Sequence, residues 1–196
     1  AFTTKLAREE LLLGEKVENV LVTGASGGVG SIAVMILNKL GCNVTAVTSK
    51  ESNNEYLKSI GAKSITKSSD LDKEPRPLDK GIWDGAVDTV GGNILSNVLP
   101  HIKENGIVAA VGNAGGIKLN TTVMPFIIRG VKLWGIDSVQ TSNKRREFLW
   151  GEASKLIDFA LLEKSIKEIN LEELLNIFPT MLEGKTSGRY IINLDK

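Results

Sequence analysis

The sequence predicts an α/β fold in which a six-stranded parallel sheet is doubly wound, with helices on both faces. Short apolar runs suited to strands alternate with helix-periodic segments from residue 20 to residue 161, the pattern of repeated strand-helix-strand units. Glycines at 24, 27, 28 and 30 fall between the first such run and the first such helix. After a polar stretch at 67–80 with Pro75 and Pro77, which reads as a surface connection, the alternation resumes, so three strands fall on each side of it.

Taken in order, residues 5–13 read as a helix stopped by Gly14, and Val20-Leu21-Val22 as a strand without polar alternation, as expected where both faces are buried. Residues 31–40 carry apolar side chains at 32, 35, 36 and 40, one face of a helix, and Gly41 ends it. A second strand follows at 44–47, a helix at 54–60 closed by Gly61, and a third strand at 64–66. The second half supplies strands at 85–88, 106–111 and 131–136, with helices at 93–99 and about 143–161. The last segment departs from this rhythm: 171–182 is helical with a Leu/Ile/Phe face, and 188–194 is a strand without an evident neighbour in the sheet.

Composition excludes several classes. The 196 residues carry 24 Lys+Arg against 23 Asp+Glu, a net charge of +1, and no basic stripe stands out, so nucleic-acid binding is not expected. No apolar run reaches the roughly 18 residues of a membrane span, and Ala1-Phe2-Thr3-Thr4 lacks the layout of a signal peptide. The expected location is cytoplasmic. With one cysteine and one histidine, neither a disulfide framework nor a Cys/His metal cluster can form, and no metal is expected. Cys42 reads as a small core residue and His101 as an exposed or helix-capping imidazole.

The glycine cluster carries the chemistry. A strand, then Thr23-Gly24-Ala25-Ser26-Gly27-Gly28-Val29-Gly30, then a helix is the Rossmann arrangement that brings backbone N–H groups and a helix N-terminus onto a pyrophosphate. Ala25 replaces the first glycine of the GxGxxG pattern. The loop also fits short-chain dehydrogenases, whose chemistry needs a lysine four residues after a tyrosine. Tyr56 is followed there by Ile60 and Tyr190 by Leu194, which removes that reading. NADH binders and methyltransferases place an acid at the end of the second strand, where this chain has Thr48-Ser49-Lys50. Two hydroxyls and a cation suit the 2′-phosphate of NADPH, with Lys67 as a second cation; Glu51 weighs against it.

Together with further blocks of the sequence, these residues resemble the zinc-independent, quinone-oxidoreductase-like branch of the medium-chain dehydrogenases and, within it, NADPH-dependent acryloyl-CoA reductases. The similarity is carried by the glycine loop, Tyr56-Leu57-Lys58-Ser59-Ile60-Gly61-Ala62, Trp83-Asp84-Gly85-Ala86-Val87-Asp88-Thr89-Val90-Gly91, Met124-Pro125-Phe126-Ile127-Ile128-Arg129-Gly130, Gly135-Ile136-Asp137-Ser138-Val139 and Gly188-Arg189. It implies that Ser26, Gly27, Gly28, Val29 and Gly30 form the pyrophosphate loop, that Thr48, Ser49 and Lys50 contact the 2′-phosphate, that Asn113 and Ser138 lie toward the nicotinamide, and that Arg189 faces the catalytic cleft. Two positions depart from the pattern: Asn113 stands where relatives often have leucine, and Lys67-Ser68-Ser69 where they often have an arginine.

The resemblance also implies a preceding GroES-like domain, of which this chain has none. The expectation is therefore a fragment, with a dinucleotide-binding domain over 1–164 and a helix and strand over 165–196 that return toward the absent domain and are mobile or borrowed by another chain. The reaction implied for the full-length protein, a homodimer by resemblance, is hydride transfer from NADPH to an α,β-unsaturated carbonyl compound: a small-molecule enone, an acyl-CoA such as acryloyl-CoA, or a quinone. The fragment alone is expected to be inactive, and the alternative reading is a non-catalytic nucleotide-binding or sensing module.

Overall fold

The computed structural model describes residues 17–194, so the helix expected over 5–13 lies outside the described residues. Six strands, β1 (Asn19–Val22), β2 (Asn43–Thr48), β3 (Ala62–Lys67), β4 (Trp83–Asp88), β5 (Ile102–Ala110) and β6 (Lys132–Gly135), form one sheet in the order β3-β2-β1-β4-β5-β6. Every pairing is parallel, as the sequence predicts. The chain starts in the middle, winds outward to β3, then returns beside β1 and winds outward to β6. The strand order therefore reverses at the β1–β4 seam, where a crevice opens at the carboxyl ends of the strands.

The uninterrupted apolar run of β1 follows from burial on both faces. Val20 and Val22 pack into a core with Ala33, Val34, Leu37 and Val44, whereas Leu21 points to a second core with Val98, Leu99, Ile102 and Val108. Burying each such side chain is worth roughly 1.5–3 kcal/mol. The first core is roofed by α1 (Gly28–Lys39) and α2 (Asn54–Ser59), the second by α3 (Gly92–Val98).

Several elements differ from expectation for identifiable reasons. The buried face of α1 is not confined to 32, 35, 36 and 40: Ala33, Val34 and Leu37 are the deepest residues alongside Ile36, and Ile32 is only half-buried. A helix in the sequence analysis went unrecognised at α4 (Met124–Arg129), which has Pro125 in its first turn and Gly130 as a left-handed cap, φ 60°, both recognisable helix-end signals. The long helix expected over 143–161 is two. α5 (Asn143–Leu156) stops where Ile157 turns extended, and Asp158 then caps α6 (Phe159–Glu163) by accepting from the Leu161 N–H at 3.1 Å.

The C-terminal strand has a partner that the sequence reading missed. β7 (Ile166–Ile169) and β8 (Arg189–Ile192) pair in parallel, Ile166 opposite Arg189, as a two-stranded sheet separate from the main one. Between them α7 (Leu174–Leu182) buries none of its residues. Cys42 is a core residue as expected, and His101, 14% exposed along its side chain, takes the capping alternative rather than the exposed one. Its Nδ1 donates to the Asn97 carbonyl at 2.7 Å, capping the end of α3.

Candidate functional site

The turn after β1 shows why glycine is needed at some loop positions and not at others. Gly24 has φ 57°, and a Cβ there would lie 2.3 Å from the Thr89 hydroxyl oxygen. A Cβ on Gly30 would lie 2.3 Å from the Gly24 carbonyl oxygen, and one on Gly27 3.2 Å from the same atom. Ala25 is free of this constraint, because Gly24 makes the left-handed step and the Ala25 methyl is fully buried in the core. The alanine is thus compatible with the loop. The α1 N-terminus has no side-chain cap and no acid in its first turn, so backbone N–H groups there are available to an anion.

Beneath the loop the β1–β4 seam is pinned by a buried network. The Thr23 hydroxyl donates to Asp88 Oδ1 at 2.7 Å and accepts from the Thr89 N–H at 3.0 Å. The Gly91 N–H donates to Asp88 Oδ2 at 2.8 Å. Burial pushes the Asp88 carboxyl upward, and the bonds from Thr23, Gly91 and Val90 only partly offset it. Sequence reasoning missed Thr23 and Asp88, although an acid ending a buried strand at Asp88-Thr89-Val90-Gly91 was a signal for them.

The expected site residues sort into three neighbouring spaces. A cleft of about 820 Å³ over the seam is lined by Ser26, Gly27, Thr48, Ser49 and Lys50. Its far wall is made by two glycine-rich turns, Gly91-Gly92 and 114–116, joined by a bridge between Gly91 and Gly116; the sequence analysis assigned them no role. A second pocket of about 440 Å³ adjoins it at the ends of β2 and β3 and includes Thr48, Ser49 and Lys67. Gly28, Val29, Ser138 and Arg189 instead line a largely apolar cavity of about 490 Å³ against α5, with Ile136 and Trp150. Asn113 is exposed and lines none of the three. Gly30 is buried under the loop.

The charged groups are engaged with the protein itself. Lys50 Nζ donates to the Thr186 carbonyl, and burial followed by the charge of Lys167 pushes its pKa down. Lys67 is paired with Glu51 at 2.5 Å. Arg189 donates to the Gly28 carbonyl and lies 3.5 Å from the Ser31 and Ser165 hydroxyls, while the Gly188 N–H donates to the Ser26 carbonyl at 3.0 Å. The segment before β8 is therefore fastened to the glycine loop. Burial lowers the pKa of the Arg189 guanidinium, with Tyr56 acting in the opposite sense.

The family model described as zinc-binding dehydrogenase matches residues 28–155. The chain belongs to this family. Among its members, the probable acrylyl-CoA reductase of Escherichia coli K12 is 44% identical over 176 residues, covering 90% of this chain and 54% of that protein. The chain thus spans about half the length of the relatives it matches. Its fold superposes on E. coli K-12 YhdH with bound NADPH at a TM-score of 0.84, with 44% identity over 89% of this chain and 54% of that one. It superposes on Bacillus subtilis yhfP with NAD bound at 0.85, with 40% identity over 98% of this chain and 60% of that one. The chain is therefore related to acrylyl-CoA reductases and has the fold of the portion it matches in these nucleotide-bound relatives.

A fit to the groups this family implies can be tested on the side chains. For zinc there is no fit: among the described residues no three His, Cys, Asp or Glu side chains converge, and Cys42 Sγ is buried against the Val17 carbonyl. For a dinucleotide the fit is good, with a glycine cradle that a Cβ would fill, an uncapped helix terminus and an open cleft along it. Among the described residues no helix is long and apolar enough to cross a membrane.

Proposed function

We propose that this chain binds NADPH and that the full-length protein, a cytoplasmic homodimer, reduces an α,β-unsaturated carbonyl compound, an acyl-CoA such as acryloyl-CoA or a quinone. The observation that carries the reading is the continuity of the uncapped α1 terminus with a cleft lined by Thr48, Ser49 and Lys50 and with the adjoining pocket that holds Lys67. Ser26, Gly27, Gly28 and Val29 would hold the pyrophosphate through backbone N–H groups, with Gly30 allowing the close approach of helix to strand. Thr48, Ser49, Lys50 and Lys67 would hold the 2′-phosphate.

When bound, the cofactor supplies a hydride for the β-carbon of the acceptor. Val29 and Ser138, which line the apolar cavity against α5, would lie at the nicotinamide end, and Asn113, which is outside that cavity, would reach it only from the turn after β5. Arg189, on the same cavity, would supply a fixed positive charge for the negative charge developing on the acceptor oxygen, with solvent as the source of the proton for the α-carbon.

We divide the chain at residue 164, with the binding unit before it and the returning tail after it. The exposed apolar face of α7, with Leu175 72% and Leu182 90% exposed, supports packing of the tail on protein that this chain does not include.

Calorimetric titration with NADPH and NADH at equal salt tests the assignment. The expected result is tighter binding of NADPH and a loss of roughly 10–100-fold in its affinity in Lys50→Glu, since each factor of ten is about 1.4 kcal/mol. Binding of neither nucleotide by the folded chain would overturn it.

A further inference from the structure

Between α7 and β8 the chain passes along the edge of the cleft over the β1–β4 seam, where Gly184 and Thr186 join the lining. This stretch of five residues, 184–188, begins and ends on a glycine in the left-handed region, with φ 65° at Gly184 and 72° at Gly188, a conformation that glycine adopts without steric cost. The two ends are held differently. A Cβ on Gly184 would meet nothing within 4 Å, whereas one on Gly188 would run into the Ser165 carbonyl. At the Gly188 end three bonds fix the chain. The Gly188 N–H donates to the Ser26 carbonyl at 3.0 Å and the Arg189 N–H to the Ser165 carbonyl at 2.9 Å, while the Arg189 guanidinium donates to the Gly28 carbonyl. On the glycine loop these bonds use carbonyl oxygens and not N–H groups, so they are compatible with an anion on the loop.

The middle of the stretch is held by a bond of another kind. The Thr186 carbonyl accepts from Lys50 Nζ, a cation that itself lines the cleft. This lysine is poorly served by its partner: it is half-buried against a neutral acceptor, and burial followed by the charge of Lys167 on β7 pushes its pKa down. A phosphate is a stronger acceptor than a carbonyl and also offsets the repulsion between the two ammonium groups. A phosphate reaching Lys50 therefore competes with the chain's own backbone. We propose that residues 184–188 form a strap, hinged at Gly188 and latched at Thr186 by Lys50, and that a phosphate group which takes Lys50 unlatches it. The release passes to α7, which runs into the strap and buries none of its residues. This rests on the reading that the cleft binds a dinucleotide whose 2′-phosphate reaches Lys50.

The test is amide hydrogen exchange at Lys185 and Gly188, whose N–H groups donate to the Thr180 and Ser26 carbonyls. It is measured in the chain alone, with saturating NADPH and with saturating NADH, saturation being fixed by calorimetry. NADPH is expected to speed exchange at both amides about 3–10-fold, the effect of losing one hydrogen bond that holds the strap. NADH, without a 2′-phosphate, is expected to leave it unchanged. In Lys50→Gln, a substitution outside the two cores, exchange is expected to be fast without nucleotide and to stay so when NADPH is added. Exchange that is unchanged or slowed by bound NADPH, or that is equal in Lys50→Gln and the unsubstituted chain, overturns the proposal while leaving the dinucleotide assignment standing. Binding of neither nucleotide to the unsubstituted chain overturns both.

Discussion

The Thr23 hydroxyl donates to the Asp88 carboxylate across the β1–β4 seam at 2.7 Å, with both residues fully buried. The bond joins the carboxyl ends of the two strands between which the cleft opens. Thr23→Val keeps the shape and removes the donor, leaving a buried carboxylate short of one bond. We expect a loss of about 1–3 kcal/mol, read as a lower urea midpoint, together with weaker dinucleotide binding because Gly91 hangs from the same carboxylate. Unchanged stability would show that the seam is held by strand pairing alone.

Two carboxylates at opposite ends of β4 should respond to pH with opposite sign. At the amino end, burial raises Asp84, but the Lys103 ammonium at 2.8 Å and the N–H groups of Asn19 and Glu18 outweigh it and the net direction is down. Its contribution is present above the unfolded carboxylate pKa of about 3.9 and is lost as pH falls through the lower folded value, because the unfolded state then binds the proton first. Asp88 is displaced upward, so the folded state holds its proton longer and its contribution declines as pH rises from about 3.9 through the folded value. Stability measured by denaturant between acid and neutral pH should therefore fall less steeply toward acid in Asp84→Asn, and more steeply in Asp88→Asn. The same slope in all three proteins would contradict the assignment.

Within the loop the two glycine positions 28 and 30, on either side of Val29, should behave differently. Gly30→Ala puts a methyl 2.3 Å from a backbone oxygen, and we expect about 1–3 kcal/mol of destabilisation with loss of dinucleotide binding. At Gly28 the nearest atom to an added Cβ is 3.9 Å away, on the Arg189 side chain, so Gly28→Ala should keep the stability of the fold. Thermal unfolding of the two variants separates them, and equal loss in both would mean that helix-to-strand packing is not what Gly30 serves.

The sequence by itself determined the sheet, because six short apolar runs alternating with helical periods leave a parallel sheet as the way to bury both faces of β1, where Val20 and Val22 go one way and Leu21 the other. It also determined the glycine turn, whose steric demand is local to a few residues of backbone. Tertiary structure decided what depends on partners distant in the chain. Ile166–Ile169 became a strand only beside Arg189–Ile192, a pairing that no local period in Ile166-Lys167-Glu168-Ile169 announces. The break at Ile157 was legible in principle from the capping Asp158, yet helical propensity on both sides hid it. Lys50 was read as a free cation, whereas the fold brings the Thr186 carbonyl to it from 136 residues away, and charge neutrality at Lys67 depends on how the turn after β2 presents Glu51. Local backbone sterics and hydrophobic period can be read along a chain; which charge is satisfied by which distant carbonyl or carboxylate is fixed only when the chain has folded.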